Sequence, residues 1–509
     1  MSTSDFAGFA TAQWQPGKQA VFSFGLRWER EVLPPPIALV DNPQLPLTQK
    51  LPNLGNSWGP RISFAIGNSN SRLPVLRVGY GMYYGRTENA SLETALTQTG
   101  SLKGDLNFFI RPTDGMNPLT YTSDAPPFPY VLQGSPASVV KPGAVGFAAN
   151  FRNPEVHQAV VSVEEELPGH IQVTTAAIAS LGRRLPISID TNLDQPSSTQ
   201  TITYGVVDGT GKGPIKTSQI TVPFYASWPG GDATCPYYTP AITLLPGRPC
   251  PDYQQISQVA SRANSTYEAA MIKVARYGRR GLSLHAHYTY SHAMDWNPNE
   301  TTLVAGSDVL DPADFSKEYG VSDLDVRHSS AAMVMYETPW RIRNLAGLLG
   351  NGWMLSSIGQ FRSGSPYTMR TSGSLPELVD RATGAVIAGL GPGINGSGGD
   401  DRVYGVGRNT YRYPQTWKAD LRLAKRFNLG KMRDLELMAE SFNLFNHQNV
   451  TELETTGYFI EPGSESSPPT LNFLTGLKAN TTAFGQPRSI NGTDLLRERQ
   501  IQFGMRMRF

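Results

Sequence analysis

The pleated segments of this chain are joined by links that are alternately short and long, and few folds tolerate that rhythm. Alternating apolar and polar residues recur at 4–14, 19–30, 58–67, 74–85, 155–166, 170–182, 267–277, 281–293, 327–338, 352–363, 415–427, 434–447 and 499–509. Successive side chains of a strand point to opposite faces, so each segment has one apolar and one polar face. In "PVLRVGYGMYYGR", Leu76, Val78, Tyr80, Met82 and Tyr84 lie opposite Arg77, Gly79, Gly81, Tyr83 and Gly85. In "GLSLHAHYTYSHAMD", Leu282, Leu284, Ala286, Tyr288 and Tyr290 lie opposite Ser283, His285, His287 and Thr289. The short links include "QPGK", "NSNSRL", the "PG" of "ELPGH" and "GRR". The long ones are 31–57, 86–154, 183–266, 294–326, 364–414 and 448–498. Each segment is near the roughly 9–11 residues that a tilted strand needs to cross a bilayer.

Short turns at one rim and long loops at the other predict an all-β fold, an antiparallel transmembrane outer-membrane β-barrel. The turns would be periplasmic and the loops extracellular. Gly 50, Pro 39 and a charged fraction of 17% suit strands and loops better than helices. The near-balance of 44 basic and 42 acidic residues argues against a nucleic-acid partner. No stretch approaches the ~18 apolar residues of a membrane helix, which leaves spanning strands open. The opening "MSTSDFAGFATAQWQ" lacks the basic start and apolar segment of a secretory signal. The segments number thirteen, whereas bacterial single-chain barrels have even strand numbers. The expectation is therefore an open wall, part of a larger barrel, with the strands near residue 4 and residue 509 unpaired.

The last segment, "RQIQFGMRMRF", puts Ile501, Phe503, Met505, Met507 and Phe509 on one face. A half-apolar edge strand is an aggregation hazard in water. A terminal Phe preceded by apolar residues at every second position resembles the outer-membrane insertion signal read by the barrel-assembly machinery. An ordinary amphipathic edge strand is the plainer reading. Arg77, His285, His287, Arg506 and Arg508 are the candidates for the lumen face. As metal ligands, His285 and His287 would need a third donor, Asp295 or His292; as lumen residues they bond to water or to a plug. Cys235 and Cys250 share a Pro- and Gly-rich segment. A disulfide closing that loop of about 15 residues would contribute ~3 kcal/mol; two unpaired thiols are the alternative.

Other motifs are weak. "VSDLDVRH" gathers Asp323, Asp325, Arg327 and His328 where a strand begins, which fits an ion-paired rim better than acid–base chemistry. "GPGINGSGGDDR" offers Asn395, Ser397, Asp400 and Asp401 as oxygen ligands for calcium, or else forms a flexible loop tip. In "ESFNLFNHQNV", Asn443, Asn446 and Asn449 read as turn residues. No nucleophile–base set, Walker loop or Cys/His cluster stands out, so neither catalysis nor a cofactor is expected.

Taken in order, the segments resemble one family. "FSFGLRWERE", "NSWGPRISFAIG" with "LRVGYGMYYGR", and "RNPEVHQAVVSVEEELPG" resemble its early strands. "STYEAAMIKVARYGRRGLSLHAHYTYSHAMD", "DLDVRHSSAAMVMYETPW" and "GWMLSSIGQFRSGSPYT" resemble its middle. "GRNTYRYPQTWKADLRLAKRF", "LELMAESFNLFNHQNV" and the closing strand resemble its end. The chain is similar to the carboxyl-terminal barrel of Oar-like TonB-dependent receptors, which carry a carboxypeptidase-regulatory-like domain. The resemblance implies that residues 1–509 are one barrel portion of roughly 22 strands in all. Signal peptide, regulatory-like domain, plug and TonB-contacting segment would precede Met1. It implies solute uptake across the outer membrane, with lipid, the assembly machinery and an unnamed solute, peptide or glycan as partners. TonB would act only through the plug. Alternatives are a structural or adhesive surface barrel, a non-transporting gene fragment, or a soluble multidomain β protein.

Overall fold

The computed structural model describes residues 3–67, 74–105, 142–193, 201–225, 237–238, 248–250, 253–279, 281–296, 309–343, 346–373, 377–380, 386–389, 393–430, 433–463, 467–476, 482–493 and 495–509. A single sheet dominates, and thirteen strands form its continuous path. In chain order they are β1 Ser4–Trp14, β2 Ala20–Val32, β3 Ser57–Ile66, β4 Val75–Tyr84, β5 Glu155–Leu167 and β6 Ile171–Asp190. There follow β7 Ile256–Arg279, β8 Leu282–Asp295, β9 His328–Glu337, β10 Trp353–Arg362, β11 Thr416–Gly430, β12 Arg433–Phe442 and β13 Gln500–Arg508. Each pairs antiparallel with the next, and β1 and β13 are left as edges. The wall is open.

Register carries the alternation across the wall. Trp14, Phe22, Phe64, Val78, Val161, Ala177, Ala270, Tyr290 and His328 form one transverse row on the apolar face. Leu76, Val163, Thr175, Ile272, Tyr288, Ser330, Phe361 and Trp417 form another. β-Branched and aromatic side chains fit a pleated, half-buried surface, which is why these segments hold as strands. Among the described residues no second layer covers them: Val78, Tyr80, Tyr288 and Tyr290 keep 38–46% of their surface exposed. A water-soluble sheet would bury this face, so the exposure demands an apolar solvent.

Buried cores occur instead in the long loops and the upper ends of β6 and β7. Strands Arg370–Gly373, Thr456–Glu461, Thr470–Phe473, Thr201–Val207 and Gln219–Pro223 form a five-stranded mixed sheet above the wall. It encloses Tyr204, Val222, Phe224, Ile394, Tyr458 and Leu471, each at most 1% exposed. Four long loops thus build one cap, with its own hydrophobic core. This is more order than the sequence suggested. β6 and β7 also run well past residues 182 and 267, into the loop region, with register shifts between Ser261 and Ser265. β12 stops at Phe442, five residues earlier than expected, because Asn443 turns the chain at φ 48°.

Candidate functional site

Two surfaces can carry function, the polar face of the wall and the cap above it. On the polar face near the carboxyl end, the β11–β12–β13 register aligns charges into a ladder. Glu436 receives Arg422 at 3.1 Å, with Arg426 and Arg508 at 3.9 Å. Arg422 also reaches Glu440 at 3.6 Å, and Arg508 reaches Asp434 at 3.6 Å. Arg506 stands opposite Glu436 in the register. Arg506 and Arg508 are lumen candidates from the sequence; Asp434, Glu436, Glu440, Arg422 and Arg426 join them only through the register. Their signal was legible: in "ADLRLAKRF" and "DLELMAES" charges alternate with leucines, and a tight hairpin brings the two sets side by side.

Toward the other edge, Arg77 shares the polar face and pairs with Glu164 at 2.6 Å. Beside it lies a hollow of about 470 Å³ lined by Ser23, Gly25, Arg61, Gly79, Gly81 and Gln158, among others. Gly81 matters here, since a Cβ would stand 2.8 Å from the Tyr83 hydroxyl oxygen. Without one, the Tyr83 ring lies down along the wall, and the Arg61 guanidinium sits 4.6 Å above its centroid. A cation held over an aromatic face is electrostatically favoured and fixed in direction.

His285 and His287 fall on the same polar face, in register with Ala275 and Lys273. His285 packs edge-on against Tyr277 at 4.9 Å. The third donors considered for a metal do not join them. His292 belongs to the apolar face and bonds Asp325 at 3.1 Å, while Asp295 is held by Arg408. Among the described residues no group of three or more His, Cys, Asp or Glu is placed to hold a metal. Cys250 is an exposed free thiol, and Cys235 lies outside the described residues. Ile501, Phe503, Met505, Met507 and Phe509 stand exposed along the β13 edge, at 46–84%.

The cap is knit by buried ion pairs. Arg402 donates to both Glu318 oxygens at 2.6 and 2.7 Å, with both side chains at most 2% exposed. Arg248 pairs with Asp190 at 2.7 Å, and Arg408 with Asp295, in sites nearly as dry. Residues 393–402 of the "GPGINGSGGDDR" run are therefore not a loose tip. Asn395 and Ser397 are buried and donate to the Leu310 carbonyl, and Asp400 pairs with Arg370. Nor do Asp323 and Asp325 form a carboxylate pair. Asp325 accepts from His292, Arg412 and the Ala293 amide, whereas Asp323 accepts from Asn409. Of the asparagines of "ESFNLFNHQNV", Asn443 and Asn446 flank a turn, with the Asn446 amide donating to the Asn443 carbonyl; Asn443 also bonds His447 and Arg497, and Asn446 accepts from the Arg499 amide. Asn449 is not in a turn: it is buried ahead of the strand Val450–Leu453 and accepts from the Trp417 amide.

Cap stability follows the carboxylates. Burial pushes Asp325 up, but Arg412, the Ala293 amide, His292 and Arg327 outweigh it and hold it below 3.8. Burial likewise raises Asp311, and Lys317, Tyr225 and Tyr404 bring it below 3.8. Lys317 and Ser316 lower exposed Asp314 to about 2. A depressed folded pKa stabilises above the unfolded value and is lost as pH falls through the folded one. Acidifying below 3.8 is expected to speed hydrogen exchange at 309–318 and 323–327 before the wall amides respond. Unchanged protection there down to the exchange limit would contradict it.

An open antiparallel wall with one face bare, short turns at one rim and capped loops at the other defines an outer-membrane barrel. Residues 1–502 match the family model "Outer membrane beta barrel domain", and the chain belongs to that family. No curated protein matches. Among solved structures the chain is similar to the ferric citrate transporter FecA in its unliganded form, at 10% identity and TM-score 0.40. That alignment covers 99% of this chain and 45% of FecA. It is similar to the outer membrane transporter YddB from Escherichia coli, at 7% identity and TM-score 0.42, over 92% of this chain and 43% of that one. The FrpB iron transporter from Neisseria meningitidis aligns at 8% identity and TM-score 0.42, over 99% of this chain and 45% of its own. The chain thus spans less than half the length of these structures. The family places the short-turn rim in the periplasm and the cap outside the cell.

Proposed function

We propose that residues 1–509 are wall and outer cap of a solute-uptake receptor of the TonB-dependent, Oar-like type. Plug and TonB contact would come from outside these residues, and the proposal includes no catalytic step. The observation that carries it is the bare polar face. Charged rows and a glycine-floored hollow look into open space, while the packed cores lie in the loop region. Such a face needs water or a plug against it. Arg77, His285, His287, Arg506 and Arg508 would line that lumen, and Ile501 to Phe509 would guide insertion by the assembly machinery.

Parity supports a larger barrel. Twelve antiparallel steps separate β1 from β13, so the two edges run in the same direction. Joining them, within one copy or between two, makes a parallel seam. An odd number of further strands restores the antiparallel pattern, and a barrel of roughly 22 strands needs about nine.

The test compares solute depletion from the medium by wild-type cells, cells lacking this gene and cells lacking TonB. The same solutes should persist with both deletions. Depletion that survives loss of the gene, or that ignores TonB, would count against uptake. The cap's own core favours a second reading, a surface barrel that binds partners. That role would appear as lost cell attachment with depletion intact.

A further inference from the structure

The periplasmic link 338–352, between β9 and β10, is the longest on its rim, and its described residues, 338–343 and 346–352, are held by specific bonds. Asn351 clamps Ile342 from both sides, accepting from its amide at 3.0 Å and donating to its carbonyl at 2.8 Å. Gly347 permits that closure, because a Cβ there would collide with the Ile342 carbonyl oxygen. The Lys425 ammonium donates to the carbonyls of Leu349 and Asn351, and the Trp353 indole N–H donates to Leu349 at 2.6 Å. Trp353 and Lys425 are register partners on the apolar face of the wall. These bonds therefore tie the link to the lipid side.

What the link presents is unusual for a periplasmic turn. Trp340, Ile342, Leu348 and Leu349 are 55%, 41%, 58% and 71% exposed. Between them Arg341 and Arg343 are exposed, and no ion pair is seen for either among the described residues. Apolar side chains beside unneutralised arginines, at the level where lipid meets water, match a phospholipid interface in both solvent and charge.

We infer that residues 340–343 and 346–351 form an interfacial anchor. Trp340, Ile342, Leu348 and Leu349 seat in the inner leaflet of the outer membrane, and Arg341 and Arg343 engage phosphates of anionic phospholipids. The anchor is continuous with the lipid-facing wall, and it depends on wall insertion rather than on transport.

The test uses the full chain with Cys235→Ser and Cys250→Ser, reconstituted in phosphatidylethanolamine–phosphatidylglycerol bilayers. A nitrobenzoxadiazole label is placed through Leu349→Cys, Val161→Cys or Lys18→Cys. Labels at 349 and 161 should shift to the blue and be quenched by brominated acyl chains, while the label at 18 stays aqueous. Brominated phosphatidylglycerol should quench position 349 better than brominated phosphatidylethanolamine, and R341Q/R343Q should remove the difference. An aqueous label at 349 beside a quenched one at 161 would overturn the anchor and leave the wall standing. An unquenched label at 161 would overturn both. A phosphatidylglycerol preference that is absent, or that survives R341Q/R343Q, would overturn the arginine role.

Discussion

Val161→Arg is expected to cost about 2–4 kcal/mol of folding stability in a bilayer, and Val160→Arg less than about 0.5 kcal/mol. The two valines are neighbours in β5 and similarly exposed, at 45% and 39%. Register sets them on opposite faces: Val161 joins the row with Phe64 and Tyr290, whereas Val160 lines the hollow beside Gly79. In water the substitutions would be nearly equivalent, since both side chains already meet solvent. In a membrane, only the arginine at 161 must be drawn into hydrocarbon. Urea titration of the reconstituted protein, read by heat-modifiable migration, measures the difference. Equal penalties would remove the two-solvent account of the wall.

Arg402→Met should cost about 3–5 kcal/mol within the cap, because it leaves the Glu318 carboxylate buried without its guanidinium. Glu318→Gln with Arg402→Met should recover part of the loss, since the remaining group is neutral. The readout is hydrogen exchange at 202–225, 309–318, 393–403 and 456–473, with wall migration as the control. Cap protection that is unchanged in Arg402→Met would mean that the pair contributes little.

The wall was legible because its information is local. Period-two patterning in "PVLRVGYGMYYGR" placed β4 to within a residue, and hairpin turns such as "ELPGH" fixed the pairing that followed. The cap was not legible, since its contacts are remote. Tyr204 bonds the Ile394 carbonyl, and Glu318 meets Arg402 84 residues away. Its strands are only 4–7 residues long and sit in Gly- and Pro-rich stretches that read as loose loops. Two of its pairings are parallel, between Arg370–Gly373 and Thr456–Glu461, and between Thr470–Phe473 and Thr201–Val207. Parallel pairing leaves no hairpin signal in a single sequence. Arg77, His285, His287, Arg506 and Arg508 share one face of the wall, but the ladder around Glu436 emerged only when register set three strands side by side.

The shared core of the cap also bears on how this surface can change. Segments at 201–225, 309–318, 393–404, 456–463 and 467–473 supply one another's interior, so none is a free module. Transplanting any one of them onto another scaffold would strand half an interior, and for 309–318 or 393–404 a buried charge as well. Variation of this surface must therefore fall on the skin of the cap, or alter several segments together.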